Sequence, residues 1–312
     1  MINEQFREET FYLENNNGFR FHVRSFLPHA NNPIGVLQIF HGMAEHGGRY
    51  SEFAKHLAQN GFATYIADHP GHGLTARNKK DLGVVEGKKG WNLMLKNQLK
   101  LLTHIRTKHT NTHVFLVGHS MGSILARHFT SIYPLYFKGL ILSGPTETSK
   151  FQLKLGQTLT FVQSLFFPDN TKVKWFNRQF YNNFNKHFKS PPTLFEWISS
   201  KREEVNEYVS DPFCGFDCSV GFYRNLFWGI KEMQKNGRHL TFRKSLPILI
   251  FSGDQDPVGN FGKDAIKIHA NYYVQGFHKL AIKVFGGRHE MLREENKQEV
   301  FDYVLKWLQE KV

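Results

Sequence analysis

Gly118 His119 Ser120 Met121 Gly122 sets a hydroxyl between two glycines, and far along the chain Asp254 Gln255 Asp256 and Arg288 His289 Glu290 supply carboxylates and an imidazole. A serine hydroxyl is a weak nucleophile at neutral pH. It becomes a strong one when a base takes its proton, an acid orients that base, and amide donors hold the oxyanion that forms. Residues of these types in the chain order serine, aspartate, histidine fit acyl transfer through a covalent intermediate on an open α/β sheet.

The elements that would position them are legible around each segment. Val114 Phe115 Leu116 Val117 is a short apolar run suited to a buried parallel strand, and Ser123 to Phe129 carries apolar residues at helical spacing up to Pro134. Between them Ser120 must sit on a sharp turn, where glycines two residues to either side remove clashing side chains. His289 follows the strand-like run Ala281 to Phe285, whereas His278 precedes it and would stand at the opposite edge of the sheet. Ligand crevices lie at the carboxyl ends of such strands, which favours His289 as the base. The run Ile248 to Phe251 leads into both Asp254 and Asp256. Asp256, further round the turn and stiffened by Pro257, fits the orienting acid better, and Asp254 fits a turn cap. The oxyanion donors expected are the backbone amides of Met121 and of Met43, in the loop after Val36 to Phe40.

The remaining chain alternates in the same way. A hairpin is expected from Phe11 to Leu13 and Phe19 to Val23 around Asn15 Asn16 Asn17 Gly18, followed by strands at Val36 to Phe40, Thr64 to Ala67, Val114 to Val117, Leu140 to Leu142, Ile248 to Phe251 and Ala281 to Phe285. Helices are expected at 51–59, 88–108, 121–132, 262–270 and 294–310. That pattern predicts an α/β fold with a mostly parallel, twisted sheet covered on both faces. Residues 145–235 carry no clear strand and read as a helical cap inserted after the sixth strand, between core segments 1–144 and 236–312.

Charge is concentrated in that insertion. Between Lys150 and Lys189 there are seven lysines or arginines against one acid, Asp169, a net +6 within a chain of formal charge +13. Interleaved are Phe151, Leu155, Leu159, Phe161, Val162, Leu165, Phe166, Phe167, Trp175 and Phe176. An apolar surface with a cationic rim suits peripheral contact with an anionic membrane. The same residues could instead make the cap's own small core, with solvated lysines around it. No run of 18 apolar residues would cross a bilayer, and the polar start Met1 to Glu9 has no secretory pattern. Cys214 and Cys218 are too few for a disulfide framework or a zinc site and read as reduced thiols, so a cytoplasmic setting is expected. A basic chain also raises nucleic-acid binding, but no recognition motif accompanies the charge. The loop from Gly42 to Gly48 lacks both phosphate-binding glycine patterns, so no cofactor is expected.

Taken together, His41 Gly42 Met43 Ala44 Glu45 His46 Gly47 Gly48 Arg49 Tyr50, Asp68 His69 Pro70 Gly71 His72 Gly73, the Ser120 turn, and the Asp256 and His289 loops resemble the monoacylglycerol lipase and lysophospholipase family of α/β-hydrolases, also labelled serine aminopeptidase S33-like or hydrolase 4. The resemblance spans about residues 10–310. It implies a triad of Ser120, Asp256 and His289, oxyanion donors at Met43 and Met121, and neither metal nor organic cofactor. It implies a structural turn tied by Asp68, an oxyanion loop held by Glu45 and Arg49, and a return from cap to core at Asp211 to Phe216. The activity implied is hydrolysis of a single-chain acyl ester, a monoacylglycerol or a lysophospholipid. An acyltransferase, an aminopeptidase and a binding protein that keeps a hydrolase pocket are the alternatives.

Overall fold

The computed structural model describes residues 6–30, 32–85, 87, 89–236 and 243–312; the start Met1 to Gln5, the expected helix start at 88 and residues 237–242 of the second core segment lie outside them. Eight strands make one sheet: β1 (Phe6–Glu14), β2 (Arg20–Pro28), β3 (Gly35–Phe40), β4 (Phe62–Ala67), β5 (Val114–His119), β6 (Gly139–Ser143), β7 (Ile248–Gly253) and β8 (Leu280–Phe285), in the order β1-β2-β4-β3-β5-β6-β7-β8. β1 and β2 are antiparallel, and from β4 to β8 every pairing is parallel. Strands β3 to β7 are buried at every position, which is why their sequences are almost continuously apolar rather than alternating.

The hairpin is longer than its apolar pattern. Asn15 closes the turn by accepting the amide of Asn17 at 2.8 Å and that of Phe19 at 3.2 Å. Beyond it the strands continue to Phe6 and Pro28, because Arg24 in β2 forms an ion pair with Glu8 in β1 and β2 also pairs with β4. Charged residues that break an apolar pattern here satisfy one another across the strands.

Helices α1 (Ser51–Gln59) and α9 (Lys297–Gln309) cover one face, packing Phe53, Leu57, Val304 and Leu308 on Leu37, Ile39 and Ile66. Helices α2 (Gly90–Lys108), α3 (Met121–Ile132) and α8 (Lys263–Val274) cover the other, packing Leu101, Ile105, Leu125, Phe129 and Ile268 on Val36, Leu116 and Leu140. Each such side chain fully removed from water contributes about 1.5–3 kcal/mol before the entropy of ordering it. The chain runs from β3 outward to β4 and then crosses back to β5 on the other flank of β3. Strand order therefore reverses between β3 and β5, and the crevice outside their carboxyl ends is where an open sheet of this kind holds a ligand.

Between β6 and β7 lie α4 (Lys150–Phe166), α5 (Lys174–Asn185), α6 (Arg202–Ser210) and α7 (Val220–Asn236). The insertion's apolar residues divide between a packed part and a part that faces water. Tyr181, Trp197, Ile198, Tyr208 and Cys214 form a small core of their own, and Phe222, Tyr223, Ile230 and Met233 of α7 join the core beneath α2 and α3. Helix α4 is the reverse. Ser149 and Gln152 close a capping box at its start, its buried stripe is Leu153, Gly156, Thr160 and Gln163, and Phe151, Phe161, Leu165 and Phe166 are 61–77% exposed.

Candidate active site

Ser120 stands between β5 and α3 with φ 51° and ψ −120°, a backbone that L-residues adopt only where surrounding structure enforces it. The flanking glycines are required by contact: a Cβ on Gly122 would lie 2.1 Å from the carbonyl oxygen of Phe40, and one on Gly118 would lie 2.4 Å from that of Gly122. The turn thus wedges between β3 and α3, and the Ser120 amide ties it to β6 through the Ser143 carbonyl at 3.1 Å. Met121 opens α3, so its amide belongs to a helix first turn that has no intrahelical acceptor.

The loop after β3 approaches from the neighbouring strand. A Cβ on Gly42 would lie 3.3 Å from that of Ser120, which puts the two loops in contact. Four groups hold this loop. The Gly42 amide and the Tyr50 hydroxyl both donate to Glu45 Oε1. Ala44, at φ 56°, donates its amide to His72 Nε2 at 3.3 Å, and its carbonyl accepts from Tyr208 at 2.8 Å and from the Gly215 amide at 2.9 Å. Met43 lies between these anchors. Glu45 and Arg49 do pair, at 3.6 Å, but Arg49 is closer to Glu290, at 2.5 Å. Burial and the nearby Glu290 charge push Glu45 up to about 7 despite Arg49.

His72 belongs to a buried set with His41 and His69 whose rings lie 4.1–6.2 Å apart. Burial lowers His69 to about 3 and His72 to about 4, so both are neutral near pH 7. The His72 ring bonds backbone through the Ala44 amide and the Pro70 carbonyl, and the His69 ring meets the Gln98 side chain at 3.4 Å. Asp68 ties the same region, accepting the amides of Gly47 at 2.8 Å and Leu74 at 2.9 Å and facing His22 at 3.1 Å.

The two aspartates after β7 have different partners. Asp254 accepts the Gly287 amide at 3.0 Å, whereas Asp256, fully buried, places Oδ2 2.8 Å from His289 Nδ1 and takes the Val258 amide on Oδ1 at 2.8 Å. That contact assigns the proton to Nδ1 and leaves Nε2 as the basic lone pair. Burial opposes protonation of His289, but the Asp256 charge and hydrogen bond and the Glu290 and Glu45 carboxylates outweigh it and hold the imidazole above its ordinary value. His119, next to Ser120, lies 4.8 Å from the His289 ring and is kept neutral at about 3 by burial and by His289. His278 stands before β8 and packs on Tyr273, at the other edge.

Ser120 and Met121 line a cavity of about 560 Å³. Its lining includes the apolar side chains of Met43, Ile124, Phe184, Trp197, Leu226 and Ile230 and the polar ones of Thr146, Glu147, Asn260, Asp264 and Lys267. A strained serine that lines this cavity and a carboxylate-bound imidazole thus lie on adjoining loops.

A family model for Hydrolase 4, described as serine aminopeptidase, S33, matches residues 31–296. The chain belongs to this family. The hydrolase is 24% identical to mouse monoglyceride lipase over 252 residues, 78% of this chain and 72% of the relative. A thermostable carboxyl esterase from Bacillus coagulans, solved with glycerol, superposes with a TM-score of 0.85 at 26% identity, over 97% of this chain and 98% of the esterase. Monoglyceride lipase from Saccharomyces cerevisiae shares the fold at a TM-score of 0.76 and 20% identity, covering 97% and 96% of the two chains.

Several residues of the hydrolase's site carry no motif of their own. Trp197 and Tyr208 come from the insertion, where no periodic pattern announces which side chains turn inward. Glu290 is the acid beside His289, and its adjacency to the base was the one available signal. His46, Asp211 and Cys214 bring one ligand-type atom each within 4.8 Å. His46 Nδ1, however, accepts the Gly48 amide at 3.1 Å, so Nε2 carries the proton donated to Asp211 at 2.8 Å. The His46–Asp211 contact braces the loop after β3 against the return from the insertion, and the Gly215 amide, donating to the Ala44 carbonyl, continues that brace.

Proposed function

We propose that the protein is a serine carboxylic-ester hydrolase that cleaves single-chain acyl lipids, with monoacylglycerol as the favoured class. The observation that carries this reading is the Asp256–His289 pair set beside the Ser120 turn, with Ser120 itself lining a cavity that offers both apolar and polar side chains. The names of the relatives point the same way, since they include monoglyceride lipases and an esterase solved with glycerol.

In the mechanism that follows, His289 Nε2 takes the Ser120 proton as Oγ attacks the ester carbonyl. The oxyanion is held by the amides of Met43 and Met121, each donor being worth about 3–4 kcal/mol of transition-state stabilisation. His289 then protonates the departing alcohol, and water repeats the sequence on the acyl-enzyme. Asp256 keeps the imidazole in the Nδ1–H tautomer and stabilises the imidazolium. The acyl chain lies along Ile124, Phe184 and Leu226, and the alcohol faces Thr146 and Asn260.

Contact with an anionic bilayer belongs to the same reading. Helix α4 presents Phe151, Phe161, Leu165 and Phe166 to solvent, and Lys150, Lys154, Lys172 and Lys174 lie on or near it. Apolar residues facing water beside cations suit insertion among headgroups. No helix among the described residues is long and apolar enough to cross a membrane.

The test is turnover by the purified protein of a monoacylglycerol, a lysophosphatidylcholine of the same chain and an amino-acid arylamide. Fastest turnover of the monoacylglycerol is expected. Preference for the arylamide would make it a peptidase, and preference for the lysolipid would make it a lysophospholipase that cleaves the same kind of acyl ester beside a different head-group.

A further inference from the structure

The stretch Glu196 to Ser199 of the insertion runs alongside the loop that carries His289. The His289 amide donates to the Trp197 carbonyl at 3.2 Å and the Glu290 amide to that of Ile198 at 2.8 Å. Arg288 Nη1 caps the carbonyls of Glu196 and Ser199, and Ser199 Oγ donates to the Arg293 carbonyl at 2.9 Å. This part of the insertion is therefore attached by main-chain bonds to the backbone of the candidate base.

The side chain at the centre of that attachment packs on the imidazole with the two ring planes tilted 52° to each other. The Trp197 ring centroid is 5.4 Å from that of His289, and His119 lies 4.8 Å from the imidazole. The indole is itself fixed: Nε1–H donates to the Leu194 carbonyl at 3.1 Å, Tyr181 stacks on it at 6.3 Å and 13°, and Phe184 packs at 5.3 Å. It also lines the cavity that Ser120 opens into. During acyl transfer the imidazole gains a proton, and a cation within about 6 Å of an indole face is stabilised by the ring's quadrupole, more by Trp than by Phe.

We propose that Trp197 is a positioning residue for the reaction: it holds the His289 ring for proton transfer and stabilises the imidazolium formed when Ser120 is deprotonated. The inference rests on the Ser120–His289–Asp256 reading. It assigns to the insertion a part in the chemistry in addition to forming a cavity wall. The charged and titratable groups facing His289 are Asp256 from the loop after β7, Glu290 from its own loop, Glu45 from the loop after β3, and His119 from β5. Trp197 acts on the imidazole without a charge of its own.

W197M, which keeps apolar bulk and removes the ring, and W197F, which keeps a weaker ring, would be compared using p-nitrophenyl acetate, an ester too short to fill the cavity. W197M should lower kcat roughly 2- to 30-fold with KM little changed, and the acid limb of kcat/KM should move down by about half a pH unit or more. W197F should recover most of both. Unaltered kcat and acid limb in W197M, with only long-chain KM raised, would reduce Trp197 to a cavity wall and overturn the proposal. Should W197M not fold, the W197F profile decides: a smaller downward move supports the proposal and an unmoved limb overturns it. Labelling of wild-type Ser120 by a fluorophosphonate, measured in parallel, separates failure of this proposal from failure of the triad reading.

Discussion

At the scale of residues, two aspartates two positions apart have been given different work by the direction in which the turn leaves β7. Asp254 holds the Gly287 amide and Asp256 meets His289. D256N should therefore lower kcat by about 10⁴, the loss expected when the imidazole adopts the wrong tautomer, whereas D254N should retain activity within about tenfold. The pH profile gives the sign. In the proposed mechanism His289 acts as a base only when neutral, and its protonated form is stabilised above the ordinary value, so kcat/KM should be full above that raised value and fall as pH drops through it, with a midpoint above 6.5. Removing the Asp256 charge should move the residual acid limb down; steady-state kinetics of the two variants across pH checks both statements. The candidate nucleophile, base and acid were legible because each follows an apolar run and the order of the three is specific. Glu290 as the nearer partner of Arg49 was not, because sequence spacing favoured Glu45, four residues from Arg49, over an acid 241 residues away.

At the scale of elements, the interior strands were legible because residues buried on both faces leave a continuous apolar run. The outer strands were less so: Arg24 and Glu8 interrupt the pattern and are reconciled only when β1 and β2 lie side by side. The insertion was legible as helical and basic but not in its parts. One portion packs inward around Tyr181 and Trp197, another joins the core through α7, and α4 turns its phenylalanines to water. Replacing Phe161 and Phe166 together with serine should weaken co-sedimentation with anionic vesicles at least severalfold and leave turnover of a soluble short-chain ester within twofold, because these side chains lie outside the cavity lining. Equal loss on both substrates would mean that α4 supports the site rather than a lipid surface. Ser149 and Gln152 keep the helix capped in either case.

At the scale of the whole molecule, the site exists because strand order reverses beside β3. Loops separated by nearly the length of the chain, after β3, β5, β7 and β8, then open at one edge, and the insertion after β6 supplies Trp197 and Tyr208 above them. The formal charge of +13 is a property of the same whole, with nearly half of it in residues 150–189 beside the exposed face of α4. All of this converges on one hydroxyl. The most direct measurement is peptide mapping by mass spectrometry of the folded protein after reaction with a fluorophosphonate, beside monoacylglycerol hydrolysis by the wild type and by S120A. The account predicts a single stoichiometric adduct on the peptide containing Ser120, absent from S120A, together with loss of hydrolysis in that variant. Undiminished hydrolysis by S120A, or a wild type that hydrolyses the ester while Ser120 stays unlabelled, would contradict it.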